Sequence, residues 1–325
     1  MSKIYDVAII GGGSAGVMAA LRTVLNNDDT VLFPGTGKDK KKSRAMWVSK
    51  VENMPGHLEY KKGIENPNRE QLNWLSTECE LKDKFTWLKN RGVTELKKNG
   101  DVFELTDNKG EKYQANYVIL CTGVMDVQPK IDGEMDPIFP YANNQSIDYC
   151  LRCDGHHVYG KKTGIIGHNN GTGWVAAMLH ERYNTPEMKI FTHGETPEFS
   201  DEVKGLIEKY GIEVYEGEIF SVKGDTKAGK LEGFEVEGEG FIDVEMSFVS
   251  LGMIVYNELA KALGADVDDR GFVTTNGKGE TNIENLYVAG DLRAGVKKQI
   301  YTAWDTAVDS ADDINAKIRR IARNA

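Results

Sequence analysis

Two glycine-rich turns about half a chain apart constrain this sequence more than any other feature. The first lies in Tyr5 to Leu25, where the apolar run DVAII leads into GGGSAG and then an apolar-periodic segment. The second lies in Thr163 to Tyr183, where TGII leads into GHNNGTG and then WVAAMLHERY. Strand, tight glycine turn and helix in that order is how a dinucleotide-binding βαβ unit begins. Two such starts predict two related domains.

The rest of the chain agrees with an α/β protein built on mainly parallel sheets. Leu72, Leu75, Cys79, Leu81, Phe85 and Leu88 fall close to helical spacing, so a long amphipathic helix is expected over residues 68–91. Residues 101–120 alternate apolar and polar around Asp107-Asn108-Lys109-Gly110, which predicts antiparallel strands joined by a turn. Residues 230–249 alternate in the same way. A short strand is expected near 285–290 and a terminal helix over 299–321. The basic run Lys38-Asp39-Lys40-Lys41-Lys42 reads as a solvated loop.

The chain has 325 residues and a formal net charge of −10, from 40 Lys and Arg against 50 Asp and Glu. That balance argues against nucleic acid as a partner. No apolar run approaches the roughly 20 residues of a membrane span. MSKIYDVAII enters a strand-like segment without a signal-peptide pattern, so a cytoplasmic protein is expected.

In the first turn, Gly11 permits the sharp bend, Gly13 lets a pyrophosphate reach the backbone, and Gly16 allows close helix–strand packing. Ser14 and Ala15 complete the loop. The phosphates would rest on free N–H groups at the helix start. One usual feature is missing: the strand Thr30 to Phe33 ends in Pro34-Gly35, without an acidic residue for the ribose. Thr122-Gly123 ends one later strand and Gly290-Asp291 another; the carboxylate of Asp291 suits the ribityl–pyrophosphate part of a flavin dinucleotide. This ordered trio resembles the two-dinucleotide flavoprotein disulfide reductases.

The four cysteines are too few for a secreted disulfide scaffold, but Cys150 and Cys153 form a CxxC pair. It reads as a redox disulfide, with an inert pair and a zinc site as alternatives. No second CxxC is present, and His156 and His157 lie too close in sequence to complete a standard zinc site, so no metal is expected. Arg152 would favour a thiolate, and Asp154 is placed to exchange a proton with the departing thiol.

CLRCDG closely resembles the Cys-x-x-Cys-Asp-Gly segment of the low-molecular-weight thioredoxin reductases. VENMPG at 51–56 is similar to their VENYPG, which carries Asn53 into the flavin site. Asp291-Leu292-Arg293 and then Lys298-Gln299-Ile300 resemble their C-terminal flavin motif. The resemblance covers nearly the whole chain. It implies an α/β fold of two Rossmann-like (three-layer ββα) dinucleotide-binding domains, the second inserted in the first. Residues 1–123 and 248–325 would form the FAD-binding domain, and 124–247 the central NAD(P)H-like domain carrying the disulfide. It implies FAD as cofactor, a thioredoxin-like disulfide partner and a homodimer, with Cys153 facing the flavin and Cys150 attacking the partner.

The central turn departs from that pattern. Asn169 stands where the second glycine belongs, so its side chain is expected to intrude on a pyrophosphate. After the next strand the chain reads Thr192-His193-Gly194-Glu195, without the arginines that clamp a 2′-phosphate. Ordinary NADPH use is therefore not expected. NADH held through Glu195, a donor protein such as ferredoxin, or another ligand including a second flavin would each fit. An acidic ferredoxin would dock on Lys38, Lys40, Lys41, Lys42 and Arg44. The function read from the sequence is an FAD-dependent disulfide oxidoreductase of thioredoxin-reductase type. An ordinary NAD(P)H-dependent enzyme, a ferredoxin–NADP reductase-like flavoenzyme and a non-enzymatic redox sensor are the alternatives. His156 and His157 read either as packing residues or as a titratable pair near the disulfide.

Overall fold

A computed structural model describes residues 3–324. The chain divides into two compact units, one of Met1–Lys50, Glu59–Met125 and Ile254–Ala325, the other of Val51–Leu58 and Asp126–Met253.

The first unit is built on a seven-stranded sheet. Ile4–Ile10 pairs in parallel with Thr30–Phe33 on one side and Lys112–Leu120 on the other. Leu286–Val288 extends the parallel part beyond Lys112–Leu120. Their inner residues are buried on both faces, which explains the uninterrupted apolar runs. Val102–Asp107 pairs antiparallel with Lys112–Leu120 across the predicted turn, and Val93–Asn99 extends this meander by one more strand. Helices Ser14–Leu25 and Ile300–Asn324 cover one face, burying Val17, Ala20, Ala307 and Ile314 against Ile9 and Ile119.

The helix expected over 68–91 runs only over Glu65–Thr77. The amides of Glu78 and Cys79 both fold back on the Trp74 carbonyl and close it. Beyond Lys82–Lys84, a 3₁₀ turn, Phe85–Trp87 is an edge strand paired with residues 30–32. Sheet pairing overrides the apolar spacing, which both conformations can satisfy. The basic run is likewise not a loop. Gly37–Lys41 is a short helix, capped reciprocally by Thr36 and Asp39.

In the second unit a five-stranded parallel sheet centres on Thr163–Ile166, flanked by Met188–Phe191 and Met246–Val249. A three-stranded antiparallel meander follows over Ile219–Asp225, Lys230–Val236 and Gly240–Asp243. Among the described residues, no helix is long and apolar enough to cross a membrane.

Candidate functional site

The first βα turn is open. Gly11 has φ +115°, and a Cβ there would lie 2.2 Å from the Cys121 carbonyl oxygen. A Cβ on Gly16 would lie 1.8 Å from the Gly11 oxygen. Both positions require glycine for the close approach of helix and strand. Gly13 differs: it caps Ser14–Leu25 with extended backbone, φ −78°, and no side chain caps the first turn. Nothing lies within 4 Å of a Cβ built on Gly13. The fold therefore does not need glycine at 13. The bare position leaves the first-turn amides and the positive helix end accessible to an anion.

Other sequence-predicted residues gather around this turn. Gly290, φ +75°, brings its turn so close that a Cβ would lie 2.7 Å from that of Ala15. Its amide donates to Thr306 Oγ1 at 3.0 Å. Asp291 follows, with Arg44 at 3.6 Å, so Arg44 serves this carboxylate and is not part of an open basic patch. Thr122 continues from Cys121 and donates through Oγ1 to the Tyr256 carbonyl at 2.6 Å; Gly123 has φ +68°. Lys298 Nζ donates to the Arg293 carbonyl at 2.7 Å and stands 3.8 Å from the Phe272 ring centre. Burial pushes its pKa down to about 8. Gln299 is buried, donating to the Lys298 carbonyl, and Ile300 opens the terminal helix. Asn53 is exposed and belongs to the other unit.

The second βα turn shares the backbone plan but is closed. Gly167, φ +155°, would place a Cβ 2.6 Å from the Ser250 oxygen, as Gly11 would against Cys121. Asn169 then caps Asn170–Tyr183, its side chain accepting from the Thr172 amide at 3.2 Å. Thr172, in place of the third glycine, donates through Oγ1 to the Ser250 carbonyl at 3.1 Å. The Glu198 amide donates to the His168 carbonyl at 2.7 Å, and the Ser200 amide to the Asn170 side chain at 3.0 Å. His193 donates from Nε2 to the Lys130 carbonyl at 2.9 Å and accepts at Nδ1 from the Ile219 amide at 3.0 Å. Both its ring nitrogens are engaged with backbone. Glu195 is exposed.

Cys150 and Cys153 are joined as a disulfide. Cys150 caps the single-turn helix Leu151–Asp154, its sulfur accepting from the Cys153 amide at 3.1 Å. Both cysteines and Asp154 are half-buried and Arg152 is exposed. Cys79 and Cys121 are free and buried; burial pushes the Cys121 thiol far up.

The sequence marks His156 and His157 as neighbours of the disulfide but does not reveal their partners. His157 donates from Nδ1 to Asp148 at 2.7 Å and from Nε2 to Glu52 at 3.0 Å. His156 Nε2 donates to the same Glu52 oxygen at 3.1 Å. The hydrogen bond to Asp148, and then that to Glu52, hold the His157 pKa up to about 9 against burial. Burial also raises the Asp148 carboxyl. Glu52 lies more than 100 positions from the histidines in sequence, so no local pattern could pair them.

An open helix-end cradle in one unit and a CxxC disulfide at the start of a short helix in the other define a redox protein of the α/β class with two βα turns. A match to the pyridine nucleotide-disulphide oxidoreductase family spans residues 5–311, so the chain belongs to that family, as a flavin-dependent disulfide oxidoreductase. It is similar to the thioredoxin reductase of Mycoplasmopsis pulmonis, 28% identical over 98% of this chain and 99% of that one. It is also similar to the thioredoxin reductase of Bacillus subtilis, 26% identical over 98% and 96%. Among solved structures, the thioredoxin reductase of Streptococcus pyogenes aligns over 98% of this chain and 100% of that one, TM-score 0.82, 17% identity. That of Giardia duodenalis aligns over 98% and 100%, TM-score 0.80, 18% identity. At such identities the structural likeness shows the fold.

Proposed function

We propose that the chain is a thioredoxin-reductase-type enzyme that reduces a thioredoxin-like protein disulfide through Cys150 and Cys153, using a reductant other than NADPH. The observation that carries the second half of this reading is the Asn169 cap. It places a side-chain oxygen on the amide that a pyrophosphate would use.

The residues around the first turn fit an FAD. The amides of Ser14, Ala15 and Gly16 and the bare Gly13 would receive its pyrophosphate, and Asp291 would accept from a hydroxyl of its sugar-like chain. Thr122, Gly123, Lys298, Gln299 and Ile300, all of the first unit, would line the rest of that site. Bound FAD supplies two-electron redox chemistry, which side chains alone lack. Two electrons and two protons convert the Cys150–Cys153 disulfide to a dithiol. The Cys150 thiolate then attacks the partner disulfide, and the Cys153 thiolate resolves the mixed disulfide, releasing the partner as a dithiol. Asp154 takes and returns the proton of these thiols. Ferredoxin is the proposed donor, and a homodimer the proposed assembly.

Anaerobic turnover with a thioredoxin disulfide tests the reading. Reduced ferredoxin should sustain it, and Cys150→Ser or Cys153→Ser should abolish it. Full turnover in both single variants would remove the CxxC from the reaction. Turnover with NADPH alone would return the chain to the ordinary donor.

A further inference from the structure

We propose that Glu52, His156 and His157 form a binding site for a divalent cation of the zinc class, with Asp148 orienting His157 from behind. All four residues lie in the second unit. The Glu52 Oε2 atom is 3.1 Å from His156 Nε2 and 3.0 Å from His157 Nε2, and the three donor atoms lie within 4.8 Å of one another. A tetrahedral ion with bonds of about 2.0–2.2 Å needs donors roughly 3.3–3.6 Å apart, so the two Glu52–histidine separations would have to open by a few tenths of an ångström to admit it.

The convergence is not what the local fold provides by default. His156 and His157 are neighbours in the 3₁₀ turn Gly155–Val158. Adjacent positions in such a turn point roughly 120° apart. Here both rings turn toward one carboxylate oxygen, with centroids 4.3 Å apart. His157 also holds its far nitrogen against Asp148, which is 5% exposed. A carboxylate behind an imidazole fixes its tautomer and aims the other nitrogen, the arrangement that supports metal-bound histidines. Two carboxylates against two imidazoles is a charge set that one dication balances with both rings neutral. His156 has half its side chain exposed, which gives an ion an entry path and a water as fourth ligand. Two nitrogens and one oxygen suit zinc and its first-row neighbours better than calcium or magnesium.

A bound ion would pin residues 51–58 to the segment that follows the disulfide. It is distinct from the dithiol itself, since Cys150, Cys153 and Asp154 form a separate convergent group. The proposal does not depend on the electron donor.

The test uses the oxidised, EDTA-stripped holoprotein, in which the disulfide removes both thiolates as ligands. Titration with Zn²⁺ by calorimetry should show a single site per chain, and Co²⁺ should give visible bands of a nitrogen–oxygen set without thiolate charge transfer. Glu52→Gln and His156→Asn should each weaken binding by roughly tenfold or more, and Asp148→Asn by roughly 10- to 100-fold. The Cys150→Ser/Cys153→Ser double variant should bind as the parent does. No binding at tens of micromolar Zn²⁺, binding that survives both Glu52→Gln and His156→Asn, or binding that needs the reduced cysteines would each overturn the proposal.

Discussion

The two βα turns follow the same backbone path and differ in what closes the helix end. In both, a positive-φ glycine passes under a carbonyl, that of Cys121 or of Ser250. In the first, Gly13 leaves the helix end bare. In the second, Asn169 fills it with its own side chain. The same βα backbone therefore carries either a bare helix end or one whose amide is satisfied from within. A cap stabilises the helix by satisfying the amides that an anion would otherwise satisfy.

Four changes break or sharpen this contrast, in falling order of effect. Gly13→Leu should close the first turn. Open space lies around a Cβ there, so circular dichroism should report an intact fold. Absorbance at the flavin band should report loss of nearly all bound FAD, and disulfide reduction should vanish. Protein that stays yellow would place the pyrophosphate elsewhere.

Opening the second turn should do the reverse. Asn169→Gly with Glu195→Arg removes the cap and supplies a cation for a 2′-phosphate. A charged hydrogen bond contributes about 1.5–3 kcal/mol, so NADPH should bind roughly ten- to hundredfold tighter by calorimetry. An unchanged affinity would mean that other parts of the unit exclude the nucleotide.

Asn169→Ala alone should lower the stability of the protein by about 1 kcal/mol in urea unfolding, the usual loss for a helix cap. Asn169→Gly should lower it by only a few tenths of a kcal/mol. Equal stability of all three would show that the cap contributes nothing.

The smallest effect concerns Lys298, which burial holds at about 8. Between about 8 and its ordinary value the unfolded chain binds more protons than the folded one, so stability must rise with pH across that window. FAD-free protein should gain stability from pH 8 to 10, and Lys298→Met should flatten the gain. The group is only partly buried, so solvent keeps this effect modest. A parent profile no steeper than the variant's would contradict the assignment.

The central parallel strands Ile4–Ile10 and Thr163–Ile166 were legible because burial on both faces writes them as apolar runs, DVAII and TGII. The stretch 78–91 was not, because Leu81, Phe85 and Leu88 suit a helix face and an edge strand equally well. The Asn169 position was visible in the sequence, but not its bond to the Thr172 amide. The structure shows that side chain as a helix cap. The four-residue cluster around His157 was invisible as a cluster. Glu52 reaches it across more than 100 residues, and only the fold brings the VENMPG segment to the second unit.

Rapid anaerobic mixing of the oxidised holoprotein with micromolar NADPH tests the central claim most directly. The closed second turn predicts that flavin absorbance stays unchanged over seconds, while reduced ferredoxin bleaches it. Bleaching by NADPH at roughly 10 per second or faster, an ordinary enzymatic rate, would contradict the account and show that the Asn169 cap yields to the nucleotide.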